Sequence, residues 1–148
     1  MNNSPKISAT ALTELASDIQ AQLENIAHAR PLSDSQLVAL YFEVGALIDK
    51  SDLDESDVAA LSESLSNASA IGDFSAANLL EMARFFRAYG HHTVLQSLMD
   101  AIDWPKHLAI LNECRDEKAQ EFYIRMSRKF NWSLETLKEK LESFRPSA

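Results

Sequence analysis

The chain has 148 residues, and 46% of them are hydrophobic, which is the usual size of one domain and enough for one continuous core. Glycine, proline, Val, Ile, Thr and Tyr are sparse beside Ala, Leu, Ser and Glu, so the composition predicts an all-α class. The single cysteine excludes an internal disulfide framework, and no stretch approaches the about 18 apolar residues of a membrane helix. We therefore expect a cytoplasmic protein with no membrane association.

Negative charge is concentrated in the N-terminal half. Up to residue 74, 3 Lys/Arg stand against 12 Asp/Glu, a net charge of −9, whereas the remainder has 11 against 10. Such a balance repels nucleic acid phosphates over the whole molecule, although the C-terminal half can still present a local basic face. Non-specific coating of DNA is therefore disfavoured.

Hydrophobic periodicity predicts eight helices of modest length. The first covers about residues 8–28. The second begins at Ser33, whose spacing to Gln36 is that of a capping box. The acidic segment 51–57 then connects to a third helix, which Gly72 is predicted to end.

The fourth helix is predicted to begin at the N-cap Ser75 and to stop at Gly90. A fifth covers residues 91–102, and a sixth begins around Asp103 and Pro105. These signals are local ones, because each cap satisfies amides of its own first turn.

The last two helices are predicted over residues 117–130 and 133–144. In the seventh, the spacing of Phe122, Met126 and Phe130 places them on one stripe, which we expect to face inward. The fold class predicted is thus an all-α, compact bundle of about seven to eight short helices.

The groups that could carry catalysis are isolated in the sequence. His107 begins an apolar helix with no nucleophile or orienting acid beside it, and Cys114 has the surroundings of a buried small residue. No GxSxG, P-loop or GxGxxG motif occurs, and the histidines lack metal-ligand spacing. We predict that the chain is not an enzyme and uses no cofactor, metal or small-molecule substrate. An enzyme built on His107 and Cys114 is only a formal alternative.

A basic face is the strongest indication of nucleic acid binding. Arg125 and Lys129 are four residues apart on the seventh helix and therefore share a side. Interleaved glutamates leave little excess positive field, which favours a solvated surface. The candidate nucleic-acid-binding residues are Arg84, Arg87, Arg125, Arg128, Lys129 and Lys138.

Three segments, within about residues 37–141, resemble the N-terminal helical domain of YhcG-type bacterial proteins, which precedes a PD-(D/E)xK nuclease domain. Residues 41–48, YFEVGALI, resemble the family's aromatic-aromatic-Glu-aliphatic-Gly helix. Residues 74–85, FSAANLLEMARF, resemble its Phe-Ser-Arg-Arg-Asn-Leu-x-x-Met-x-x-Phe segment. Trp104, then Phe122 with Tyr123, then residues 132–137, WSLETL, resemble its closing run. The resemblance implies a helical domain, related to helix-turn-helix or winged-helix architecture, that targets or regulates a nuclease.

The sequence departs from that family in two ways. No strand-rich region follows the last predicted helix to hold the nuclease metal site, so we expect no cleavage by this chain. The family's Arg pair is replaced by Ala76 and Ala77, which would remove two phosphate contacts.

These observations lead to an N-terminal helix and linker over residues 1–32 and a YhcG-type helical domain over residues 33–148, forming one globular unit. The leading hypothesis is a non-catalytic interaction module that binds a nuclease, a toxin, a DNA-processing protein or itself. The alternative is a regulator that binds DNA, weakly, through the basic residues of the C-terminal helices. The candidate protein-binding residues are Asp52, Asp54, Glu55, Asp57, Ala76, Ala77 and Asn78.

Overall fold

The computed structural model describes residues 9–26, 32–51, 53–65 and 71–143, and all regular structure in these ranges is helical. The predicted all-α class and compact bundle are confirmed. None of the described helices is long and apolar enough to cross a bilayer. The helices are α1 Ala9–Ile26, α2 Asp34–Ser51, α3 Glu55–Ser64, α4 Ala76–Tyr89, α5 Thr93–Ser97, α6 Trp104–Glu113, α7 Glu117–Lys129 and α8 Leu134–Ser143.

The predicted helix starts are confirmed by hydrogen bonds from side chains to backbone. The Ser33 amide donates to Gln36 Oε1 at 2.9 Å, and the Gln36 amide donates to Ser33 Oγ at 3.2 Å, which completes the capping box. Ser75 and Asp103 each accept from the amide three residues further on, at 3.3 and 3.2 Å. Each cap satisfies an amide that the first helical turn leaves unpaired.

Two predicted helix ends are wrong. α3 ends at Ser64 rather than at Gly72, which lies beside the Tyr41 hydroxyl in the connection to α4. The fifth helix ends at Ser97 and is followed by a 3₁₀ turn, Met99–Ala101. The Met99 carbonyl accepts a hydrogen bond from the buried imidazole of His107 at 2.8 Å, so a tertiary contact takes the oxygen that a continuing helix would use.

α1 packs on α2 and α3 through the stripe that its periodicity predicts. Gln20 Nε2 also donates to the Ser64 carbonyl at 3.0 Å, at the end of α3. The side chain of Ile26, predicted on the same stripe, lies outside the described residues, and the division of the chain at residue 32 stays a prediction. The other residues that the sequence predicts on this stripe are Leu12, which is half-buried, and Leu15, Ile19 and Leu23, which are buried together with the neighbouring Ala16.

α2 and α4 form the most extensive helix pair among the described residues. Their backbones approach at Gly45, where a Cβ atom would lie 2.6 Å from the Met82 carbonyl carbon and still closer to its oxygen. Only glycine permits this spacing, because any side chain would have to displace the backbone of α4. The pair buries Val38, Leu40, Tyr41, Val44 and Ile48 of α2, and Leu79, Met82, Ala83, Phe85 and Tyr89 of α4.

An aromatic cluster joins α6 to this pair. The Trp104 ring lies with its centroid 4.7 Å from that of Tyr41 and 5.0 Å from that of Phe85. Phe74 meets Tyr41 edge to face at 5.9 Å. Such ring contacts contribute free energy to stability beyond that of the apolar area that they bury, so the cluster fixes the position of α6 across α2 and α4.

We expect Gly45→Ala to lower the free energy of unfolding by about 1–3 kcal/mol, because the added methyl group overlaps the α4 backbone. Denaturant unfolding followed by circular dichroism measures the change. Ala39→Gly, at an exposed position of α2, is the control and should cost only about 0.5–1 kcal/mol. A stabilised Gly45→Ala variant, as expected for a helix glycine with open space beside it, would contradict the packing argument.

Candidate functional site

The candidate acidic residues lie around the start of α3, and two of them are used in the fold. Asp54 Oδ1 accepts from the Asp57 amide at 2.8 Å, and Asp57 Oδ2 accepts from the Asp54 amide at 3.2 Å. Asp57 is only 2% exposed, whereas Glu55 points to solvent. Asp52 lies outside the described residues. Glu55 therefore has a solvent-exposed carboxylate, whereas the carboxylates of Asp54 and Asp57 form the capping box that begins α3.

The second candidate group, at the start of α4, is divided between surface and interior. Ala77 is exposed and Ala76 is half-buried. Asn78 is 8% exposed, and its amide donates to the Asp73 carbonyl at 2.7 Å while its Oδ1 accepts from Trp104 Nε1 at 3.0 Å. The Asn78 side chain thus links the start of α4 to α6, and Ala77 is the member with an open surface.

The candidate arginines are distributed over separate parts of the bundle. From α4, Arg84 donates to Glu81 at 3.0 Å and across to α6. Arg87 reaches Asp49 on α2 at 3.1 Å instead. On α7, Arg125 pairs with Glu121 at 2.8 Å. The structure therefore does not bring these three guanidinium groups onto one face, and each already has a carboxylate beside it.

Two further candidate cations also lie apart from each other. In the part of the chain that the structure describes, Arg128 and Lys138 form no ion pair. Arg128 is exposed on α7. Lys138 lines a shallow groove of about 130 Å³ between α6 and α8, together with Glu113 and Glu142. Carboxylates in the groove weaken its positive field and make it a poor phosphate site.

The seventh helix presents an apolar surface that the sequence placed in the core. Phe122 and Phe130 are 46% and 56% exposed, and the half-buried Met126 lies between them on the helix. Their predicted inward orientation is wrong for both phenylalanines. The inward residues of α7 are Gln120, Tyr123, Ile124 and Ser127.

The orientation of α7 follows from contacts outside the helix. Gln120 Nε2 donates to the Cys114 carbonyl at 2.9 Å, and this bond anchors the first turn with Gln120 inward. Positions 120, 123, 124 and 127 follow an i, i+3, i+4, i+7 pattern, and positions 122, 126 and 130 follow an i, i+4, i+8 pattern. Both patterns describe one face of a helix, so periodicity alone permits either face to point inward. The two sets differ in composition, because the inward one combines the β-branched Ile124 with polar residues and the other does not. This difference is a weak sequence signal.

A helix cap continues this surface beyond α7. Asn131 has φ 51°, the left-handed conformation that Asn tolerates, and its amide donates to the Arg128 carbonyl at 3.3 Å. The Trp132 amide donates to the Ser127 carbonyl at 3.0 Å, which completes a Schellman motif. The motif places the Trp132 ring in a stack with Phe130, at 6.1 Å between centroids and 20° between planes. We call Phe122, Met126, Phe130 and Trp132 the aromatic stripe.

Cations flank the aromatic stripe. Lys129 Nζ lies 5.5 Å from the Phe130 centroid, and Lys140 Nζ lies 5.7 Å from the Trp132 centroid, both within cation–π range. Residues 125–140 contain five Lys/Arg and two Glu, a net charge of +3. The C-terminal end of α7 and the segment that continues into α8 therefore combine the exposed Phe130 and the half-buried Trp132 with positive charge.

A family model described as the DUF1016 N-terminal domain matches residues 11–145. The chain belongs to this family. The predicted membership in the N-terminal helical domain of YhcG-type proteins is thereby confirmed. Neither curated proteins nor solved structures gave a match.

In this DUF1016 N-terminal domain, the residues that carried the resemblance are mainly structural. Gly45 permits the close approach of α2 and α4. The Tyr41 hydroxyl accepts from the Asp73 amide at 2.8 Å, and Asn78 connects Asp73 to Trp104. One buried network of fold contacts thus explains the spacing of these motifs.

The reactive groups of the DUF1016 N-terminal domain are buried. His107 is fully buried, and because the Met99 carbonyl can only accept, His107 Nε2 carries the proton and Nδ1 accepts from the Tyr89 hydroxyl at 3.0 Å. Burial lowers the pKa of His107 to about 4 and raises the pKa of Cys114 to about 11. A neutral imidazole sealed from solvent and a protonated thiol are unsuited to acid–base or nucleophilic chemistry. Among the described residues, no cluster of His, Cys, Asp and Glu could hold a metal ion.

The buried His107 predicts a pH-dependent stability. The unfolded chain takes up the imidazole proton near the ordinary pKa of 6.5, whereas the folded chain resists it until about 4. This contribution to stability is complete above pH 6.5 and is lost as the pH falls toward 4, by about 3 kcal/mol in total.

Denaturant unfolding of the native chain and of His107→Gln between pH 4 and 7 measures this contribution, with His91→Gln as the reference for removing an exposed imidazole. We expect the difference in unfolding free energy between native chain and His107→Gln to shrink as the pH falls. A constant difference across this range would show that His107 does not cause the pH dependence.

Proposed function

We propose that this DUF1016 N-terminal domain is a non-catalytic interaction module that binds a protein partner through the aromatic stripe and acts in the cytoplasm. The observation that supports the proposal is the exposure of Phe122 and Phe130 beside Trp132. Exposed aromatic clusters with Met and Arg nearby have the composition of interface centres. The buried His107 and Cys114 support the non-catalytic part.

The family resemblance favours a nuclease or another DNA-processing protein as the partner, with a toxin or a second copy as further candidates. Glu55 and Ala77 are open to solvent and remain candidates for a secondary contact. Asp54, Asp57 and Asn78 would support binding indirectly, because they fix the starts of α3 and α4.

A DNA-binding regulator is the second candidate, and the net charge of +3 over residues 125–140 favours it. Arg128 and Lys129 would then contact phosphates, and binding would weaken steeply with salt. The carboxylates paired with Arg84, Arg87 and Arg125 count against it, since each would have to be displaced or would repel a phosphate.

We expect the double variant Phe122→Ala/Phe130→Ala to lose its partner. Removing two interface rings should reduce the amount of partner recovered by about tenfold or more. The free energy of unfolding should change by less than about 1 kcal/mol, because both rings are already exposed. The measurement is affinity capture of the tagged chain from nuclease-treated lysate of its native cell, with quantitative mass spectrometry.

The matched control is Leu80→Ala/Val94→Ala, which removes two exposed apolar side chains from α4 and α5. It should retain the partner. Equal recovery of the partner by both double variants would contradict binding through the aromatic stripe. Two results together would favour the DNA-binding candidate instead. The chain would capture only nucleic acid when nuclease is omitted, and it would shift DNA in a mobility assay unless Arg128→Ala/Lys129→Ala is introduced.

A further inference from the structure

The charges beside the aromatic stripe restrict what can cover it. Arg125 is paired with Glu121, and the cations that lie against the rings, among the described residues, are Lys129 and Lys140. A cation–π contact uses the charge of an ammonium group but leaves N–H donors for other acceptors. Lys129 and Lys140 are therefore held beside the rings in positions where carboxylates can bind them.

Self-association through the stripe is opposed by this charge. A two-fold contact brings the same patch of two copies together, so the ammonium groups of Lys129 and Lys140 would face identical cations.

The spacing of the stripe indicates the shape of a fitting partner. Phe122, Met126 and Phe130 lie four residues apart on α7, so they form a ridge about 12 Å long over two helical turns. A helix with apolar residues at intervals of three and four can pack along such a ridge.

Resting on the proposed function, we propose that the aromatic stripe binds an acidic amphipathic helix of a partner protein. The apolar face of that helix covers Phe122, Met126 and Phe130. Asp and Glu side chains at the border of its apolar face pair with Lys129 and Lys140. Charge complementarity selects the partner, and the rings supply most of the binding energy.

The test uses two synthetic peptides of about 14 residues with the same leucines at helical spacing, one with Glu and one with Lys at the remaining positions. Fluorescence anisotropy of the labelled peptides against the full chain gives the two dissociation constants. We expect the Glu peptide to bind about tenfold tighter or more, and to weaken between about 50 and 300 mM NaCl.

The variants assign the effect to the stripe. Phe130→Ala should weaken the Glu peptide about tenfold, and Lys129→Glu/Lys140→Glu should reverse the preference between the peptides. Val94→Ala, an exposed apolar residue on α5, should leave both dissociation constants unchanged. Unfolding curves for every variant establish that each is folded.

Three results would overturn the acidic-helix proposal: equal or tighter binding of the Lys peptide, oligo(dT) binding lost in Phe130→Ala, or a concentration-dependent dimer lost in the same variant. If the cellular partner is lost in Phe122→Ala/Phe130→Ala while the Glu peptide fails to bind, the proposed function stands and the acidic helix does not. If neither capture nor peptide binding depends on the stripe, both proposals fail.

Discussion

The close approach of the α2 and α4 backbones at Gly45 is the constraint on which the rest of the fold depends. Because a side chain at this position would overlap the Met82 carbonyl, glycine alone allows the two helices to bury their facing stripes against each other. One turn earlier on α2, Tyr41 then reaches both the Asp73 amide and the Trp104 ring. The positions of the start of α4 and of α6 therefore depend on the absence of a side chain at Gly45.

Features determined within one turn or one helix were predictable from the sequence. The capping box of Ser33 with Gln36 and the cap at Ser75 involve neighbours three residues apart. The fifth helix was predicted too long because the bond that replaces its continuation comes from His107, eight residues beyond Met99. The ion pair of Arg87 was unpredictable for the same reason, since its partner Asp49 lies 38 positions earlier. Periodicity contains no information about such pairings.

The residues that carry the family resemblance and those of the candidate binding surface lie in different parts of the molecule. Gly45, Asn78 and Trp104 belong to the buried network that holds α2, α4 and α6 together, and this explains why such motifs identify the fold. The aromatic stripe lies on α7 and at the start of α8. Ala76 and Ala77, which stand where the resemblance implies an Arg pair, precede Asn78 on α4 and take no part in its hydrogen bonds to Asp73 and Trp104.

The orientation of α7 is the strongest physical reason to regard the stripe as a binding surface. Rotating the helix by about 100° would turn Phe122 and Phe130 toward the core. The protein instead buries Tyr123 and Ile124 together with the polar Gln120 and Ser127, and the Ser127 hydroxyl has no hydrogen-bond partner among the described residues. A buried unpaired hydroxyl costs about 1 kcal/mol or more, and two exposed rings forgo their transfer free energy. A helix that accepts both penalties, and whose Schellman cap then stacks the half-buried Trp132 on the exposed Phe130, contradicts simple patterning at one place. Such local contradictions are expected where a surface is retained for binding.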